Sequence, residues 1–111
     1  MKGKRMTLRN KADKLFSLKV REIGYCRRCG QTTGLQCAHI CSRRYLSTRW
    51  DLDNDMCLDS GCHIYFTHHP IEWDLFVISC IGEEKYNALK KRALIIKDYI
   101  DYEEIIRRLE C

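Results

Sequence analysis

Two cysteine pairs, Cys26-x2-Cys29 and Cys57-x4-Cys62, constrain this 111-residue chain more than any other feature. The first is a tight knuckle in which two thiolates reach one ion, and the second is looser but within the spacings zinc accepts. Four thiolates match a closed tetrahedron. The expectation is therefore a structural Zn2+ on Cys26, Cys29, Cys57 and Cys62 that ties the end of a first helix to a hairpin and contributes directly to folding. One domain of this length, with 32% charged residues, has a modest core, the size at which a structural metal helps. A redox dithiol at Cys26 and Cys29 lacks a surrounding βαβ pattern. Buried apolar packing suits Cys37 and Cys80 better, because Arg27 and Arg28 mark the first pair as exposed. No apolar segment follows the basic start MKGKRMTLRNKADK, and no run approaches the roughly 18 apolar residues that cross a bilayer. The expected location is the cytoplasm, away from membranes, where disulfides are disfavoured.

Hydrophobic spacing predicts the elements around those pairs. Leu8, Ala12, Leu15, Phe16, Val20 and Ile23 recur near helical intervals, with Thr7 as an N-cap and Gly24 as a stop, predicting a helix over 7–23. LQCAHI (35–40) and DMCL (55–58) have the length and composition of short strands joined by a long polar and aromatic loop. SGCHIYFTHH begins a helix that Pro70 ends or kinks. Residues 71–81 form another, closed by Gly82, and 83–96 and 102–110 are helical too, the last opened by Asp101 and Glu104 as a capping box. The predicted fold class is α+β: a basic N-terminal helix (1–24), a zinc-stapled core (25–70) and a helical C-terminal extension (71–111).

Charge is distributed unevenly along the chain. Residues 1–49 carry thirteen Lys and Arg against two acidic residues (+11), residues 50–84 carry eight acidic and no basic ones (−8), and residues 85–111 carry seven against five (+2). A basic block of this kind attracts polyanions and supplies phosphate contacts. Arg43, Arg44 and Arg49 lie in the inter-strand loop, where they are predicted to clamp phosphate oxygens and add affinity without sequence preference.

Phosphodiester hydrolysis needs a base for the attacking water and a cation on the departing oxygen. His39, at the end of the first predicted strand, suits the base. His63 follows the last cysteine of the second pair directly, so the ion fixes the start of its helix, and it suits a metal ligand. Asn54 enters the second strand opposite His39, where its amide can hold the loop and orient the base. His68 and His69 precede Pro70 and read as structural groups near terminal carbonyls.

The order His39, Asn54, His63, with NDMCLDSGCH, resembles the HNH nucleases, whose N-x2-LC-x2-CH segment it carries with residues redistributed. CAHICSRRYLSTRWDLDN looks most like the phage recombination nucleases of the NinG/Rap type. The resemblance covers roughly residues 25–70. It implies a ββα-metal core and a metal-dependent DNA endonuclease that contacts backbone phosphates, with His39, Asn54 and His63 as site residues. It also implies a catalytic Mg2+ or Mn2+ on His63 and products with a 5′-phosphate and a 3′-hydroxyl. A monomer with one site nicks, whereas cutting both strands needs a dimer or two encounters. Two positions depart from the family: Ala38 stands where many members place a second metal ligand before the base, and Thr67 where colicin-type relatives place another. Water and phosphate oxygens are then expected to complete the shell. The alternative is a non-catalytic zinc module that binds nucleic acid through the same basic face.

Overall fold

The computed structural model describes residues 2–110, which form five helices around a two-stranded antiparallel sheet. Helix α1 (Lys2–Arg21) precedes strands β1 (Leu35–His39) and β2 (Asp55–Asp59), and then come α2 (Ser60–Thr67), α3 (Pro70–Ile81), α4 (Glu83–Ala93) and α5 (Tyr102–Glu110). Helix α1 starts before the predicted Thr7 cap. Thr7 Oγ1 instead donates to the Gly3 carbonyl at 2.9 Å, one turn back inside the helix, and the preceding Lys and Arg residues are adequate helix formers. The predicted helix over 83–96 stops at Ala93, leaving Leu94, Ile95 and Ile96 exposed. Pro70 sits at the first turn of α3, where its missing N–H costs nothing. Asp101 Oδ1 accepts the Glu104 N–H at 3.1 Å, forming the expected cap of α5.

The sheet separates two cores. Cα partners run from Leu35↔Asp59 to His39↔Asp55, and strand alternation sends Ala38, Met56 and Leu58 into one cluster with Cys62, Phe66, Val77 and Leu89. Cys57 and Cys37 face the other cluster, with Ala12, Phe16, Val20, Ile106 and Leu109 from α1 and α5. The apolar face of α5 is thus taken by α1 within the same chain. No helix among the described residues is long and apolar enough to cross a membrane.

Candidate metal centre and catalytic cleft

The knuckle is a hydrogen-bonded turn. Cys26 N–H donates to Gln31 O and Gly30 N–H to Cys26 O, both at 2.8 Å, and Gly30 has φ +81°, which a side chain would strain. Arg27 N–H donates to Cys57 O at 2.8 Å, fastening the knuckle to β2.

Three of the four predicted thiols converge, and the fourth does not. Ligand atoms of Cys26, Cys29, Cys62 and Asp59 all lie within 4.8 Å of one another, a set that can hold a metal such as zinc. Cys57 is a correction: strand alternation points it at the α1 core, where it is 3% exposed. Asp59, at the end of β2, completes the group. Its spacing, Asp59-x2-Cys62, repeats Cys26-x2-Cys29, which is the signal that could have found it. Asp59 is also the N-cap of α2, accepting the Cys62 N–H at 2.9 Å.

Electrostatics in this cluster suit a cation. Hydrogen bonds from the Cys62 thiol and backbone hold the Asp59 carboxyl below its ordinary range. Burial pushes Cys26 up, but hydrogen bonds from the backbone at Cys29, Asp59 and Arg28 outweigh it and leave the thiol below its ordinary value. Cys62 is pushed up to about 12, first by burial and then by its hydrogen bond to Asp59. Arg28 covers the cluster, with Nη1 3.6 Å from Cys62 Sγ and its guanidinium over the Tyr65 ring at 4.2 Å.

His39 and His63 line one cleft of about 510 Å3 between α1 and the hairpin, and both also line a smaller one of about 90 Å3 with Ala38 and Thr67. Each ring has one nitrogen committed. His39 Nε2–H donates to the Arg49 carbonyl at 2.9 Å, and the ring stacks on Phe16 with centroids 5.1 Å apart. A carbonyl can only accept, so Nδ1 keeps its lone pair. His63 Nδ1–H donates to Gln36 Oε1 at 2.8 Å, which leaves Nε2 free. Burial lowers the pKa of both histidines, favouring neutral imidazoles.

Asn54 lies outside the cleft and organises its loop. Fully buried, it accepts the Cys41 N–H at 2.6 Å and donates to the carbonyls of Cys41 and Thr48, each at 3.0 Å.

The three loop arginines separate. Arg49 is a correction: it is 4% exposed and forms a two-pronged ion pair with Asp13 of α1, Nε to Oδ1 at 3.0 Å and Nη2 to Oδ2 at 2.7 Å. It is therefore closed to phosphate. Arg43 is exposed and lines the larger cleft, whereas Arg44 is exposed over the ring of its neighbour Tyr45. Arg21 also lines that cleft, with Nε anchored on Ser17 at 3.2 Å.

Sequence reasoning missed Asp13, Phe16, Arg21 and Gln36. The first three share one face of α1 at helical spacing, of which the hydrophobic pattern picks out only Phe16, as core. Other local expectations concern structural histidines: His69 Nδ1–H donates to the Tyr65 carbonyl at 2.6 Å while His68 ends α2.

The divalent ion that the resemblance implies finds few donors here. Ala38 is buried and offers none, and Thr67 Oγ1 donates back to His63 O at 2.8 Å. The His63 ring nitrogen remains, which fits an ion that retains most of its water. In comparisons with known proteins, no family model, curated protein or solved structure matches the chain, so a functional reading rests on this geometry.

Proposed function

We propose that the protein is a metal-dependent DNA endonuclease of the HNH type, acting in phage-like recombination or DNA processing. One observation carries the reading: two neutral histidines share a cleft, each with one ring nitrogen fixed by an oxygen acceptor and the other free. Such a pair provides a base and a ligand in defined tautomers. Arg43 and Arg21 line the same cleft and suit a phosphodiester.

In this mechanism His39 Nδ1 accepts a proton from water, whose oxygen bonds to phosphorus as the bond from phosphorus to the 3′-oxygen breaks. The products are a 5′-phosphate and a 3′-hydroxyl, the latter formed when the 3′-oxygen takes a proton from solvent. Arg43 and Arg21 hold non-bridging oxygens, and Asn54 keeps the loop that carries the Arg49 carbonyl. A Mg2+ or Mn2+ ion on His63, when bound, supplies positive charge for the leaving oxygen. A Zn2+ ion on Cys26, Cys29, Asp59 and Cys62 would be structural, tying the knuckle to the start of α2.

A second reading, a zinc-stapled nucleic-acid-binding module without catalysis, is favoured by the absence of a donor at Ala38. Supercoiled DNA incubated with and without Mg2+ or Mn2+ separates them. The nuclease reading expects metal-dependent nicking that His39→Ala slows ~10²-fold or more, with DNA binding intact. The acid limb of its pH profile should lie below 6.5, because burial lowers the His39 pKa from that value. Binding without cleavage by the wild type in either metal moves the assignment to the module.

A further inference from the structure

We infer that Asp13, on a helix outside the resemblance, is a positioning residue that selects the His39 tautomer through the Arg49 peptide carbonyl. The inference rests on the nuclease reading only for its kinetic consequence. Its geometry is independent of it.

The connection is continuous. Asp13 accepts two hydrogen bonds from the Arg49 guanidinium and a third, at 2.8 Å, from Trp50 Nε1. One carboxylate therefore holds two successive loop side chains, each no more than 5% exposed. Just upstream, Asn54 holds the Thr48 carbonyl. The peptide between these anchors has little freedom, and its carbonyl receives the His39 Nε2–H at 2.9 Å. Phe16, one turn beyond Asp13 on α1, supplies the surface on which the imidazole stacks. Helix α1 thus sets both the plane of the ring and the acceptor that decides which nitrogen keeps the proton.

This arrangement distinguishes a positioning role from loop stabilisation alone. With the carbonyl in place, the Nε2–H form is favoured and Nδ1 can accept a proton. If Arg49 swings away, the two neutral tautomers compete, and the fraction with a proton on Nδ1 cannot accept one there, the position that faces the water in this mechanism. Asp13 touches neither ring nitrogen; its charge acts on the imidazole through space, but the choice between the two neutral tautomers reports the carbonyl acceptor.

The test is the histidine tautomer, read by long-range 1H–15N correlation on the full-length protein at pH 7.5, with His39→Ala to assign the signal. The wild type is expected in a single Nε2–H form. Asp13→Asn, which places an amide against the guanidinium, should give mixed tautomers and a kcat lowered in proportion to the Nε2–H fraction lost, about two-fold for an equal mixture, at similar KM. Asp13→Glu should recover much of both. Arg49→Lys keeps the charge but loses the fork, and it should mix the tautomers in the same way, so the question survives if Asp13→Asn does not fold. A wild-type His39 carrying its proton on Nδ1, or a folded Asp13→Asn or Arg49→Lys protein retaining the pure Nε2–H form, overturns the inference. A wild type that cleaves nothing while Asp13→Asn still mixes the tautomers defeats the nuclease reading alone.

Discussion

Asp59 Oδ1 lies 3.6 Å from Cys26 Sγ while accepting the Cys62 N–H, so one carboxylate serves both the cysteine cluster and the start of α2. The two jobs can be separated. Asp59→Ser retains an oxygen cap but removes the carboxylate, and zinc affinity should fall by about 100-fold or more, since losing outer-shell partners alone costs 10- to 100-fold. Asp59→Ala should lose the cap as well, at about 1 kcal/mol further. Asp59→Cys should keep zinc. Cys57→Ala should keep full stoichiometry, because Cys57 faces the α1 core. Elemental analysis and chelator competition measure all four, and zinc loss in Cys57→Ala would restore the four-cysteine site.

The loop arginines are predicted to fail in different ways. Arg49→Ala leaves Asp13 half-buried without its counter-ion, so it should destabilise the protein by roughly 3 kcal/mol, as expected for breaking a largely buried ion pair. Burial pushes the Asp13 carboxyl up, but hydrogen bonds and attraction from Arg49 more than offset it, consistent with a pair that stabilises its anion. Arg43→Ala and Arg21→Ala should barely change Tm but should weaken DNA binding and flatten its salt dependence, by about one unit of log–log slope for each phosphate no longer neutralised. Thermal melts, with binding titrations over roughly 50 to 300 mM salt, a range that brackets physiological ionic strength, check the division. An unchanged slope in the Arg43→Ala, Arg21→Ala double variant removes this cleft from the DNA path.

What the sequence made legible follows physical range. The strands, the α2 start and the Pro70 break were readable because alternation, capping and proline act within a few residues. The face of a strand residue is not local. Cys57 looks like a ligand by spacing, but β2 alternation turns it toward α1, and Asp59 escapes a search for cysteine pairs because its ligand is a carboxylate. Arg49 reads as a phosphate clamp from its loop position because its actual partner, Asp13, lies 36 residues earlier. Helix α1 became part of the cleft only once its packing on the hairpin placed Phe16 beside His39.

Asn54 has no exposed surface and satisfies three backbone groups, so its replacement should be a stability event before it is a kinetic one. Asn54→Ala leaves the Cys41 N–H and the carbonyls of Cys41 and Thr48 without partners, at a cost of roughly 3 kcal/mol. That corresponds to about a 10–15 °C fall in Tm for a domain of this size. Asn54→Asp should be worse, since a carboxylate then faces two carbonyls. A Tm loss under about 2 °C for Asn54→Ala, far short of that fall, would show that the loop is held by other interactions.

Asp55, the cross-strand partner of His39, is predicted to lower stability at neutral pH. Burial, reinforced by Asp53, raises its carboxyl from 3.8 to about 6. Between those values the folded protein binds more proton than the unfolded chain, so stability falls as pH rises from about 4 through 6, and the full penalty is present above. Asp55→Asn removes the ionisation. It should therefore stabilise at pH 8 and change little at pH 4. The shift corresponds to at most about 3 kcal/mol. Because the carboxyl is only partly buried, solvent screening reduces this to roughly 1 kcal/mol, or about 4–6 °C in Tm. Melts of both proteins at pH 4, 6 and 8 test the sign: a gain in Tm that is equal at all three would mean that repacking, rather than ionisation, is responsible.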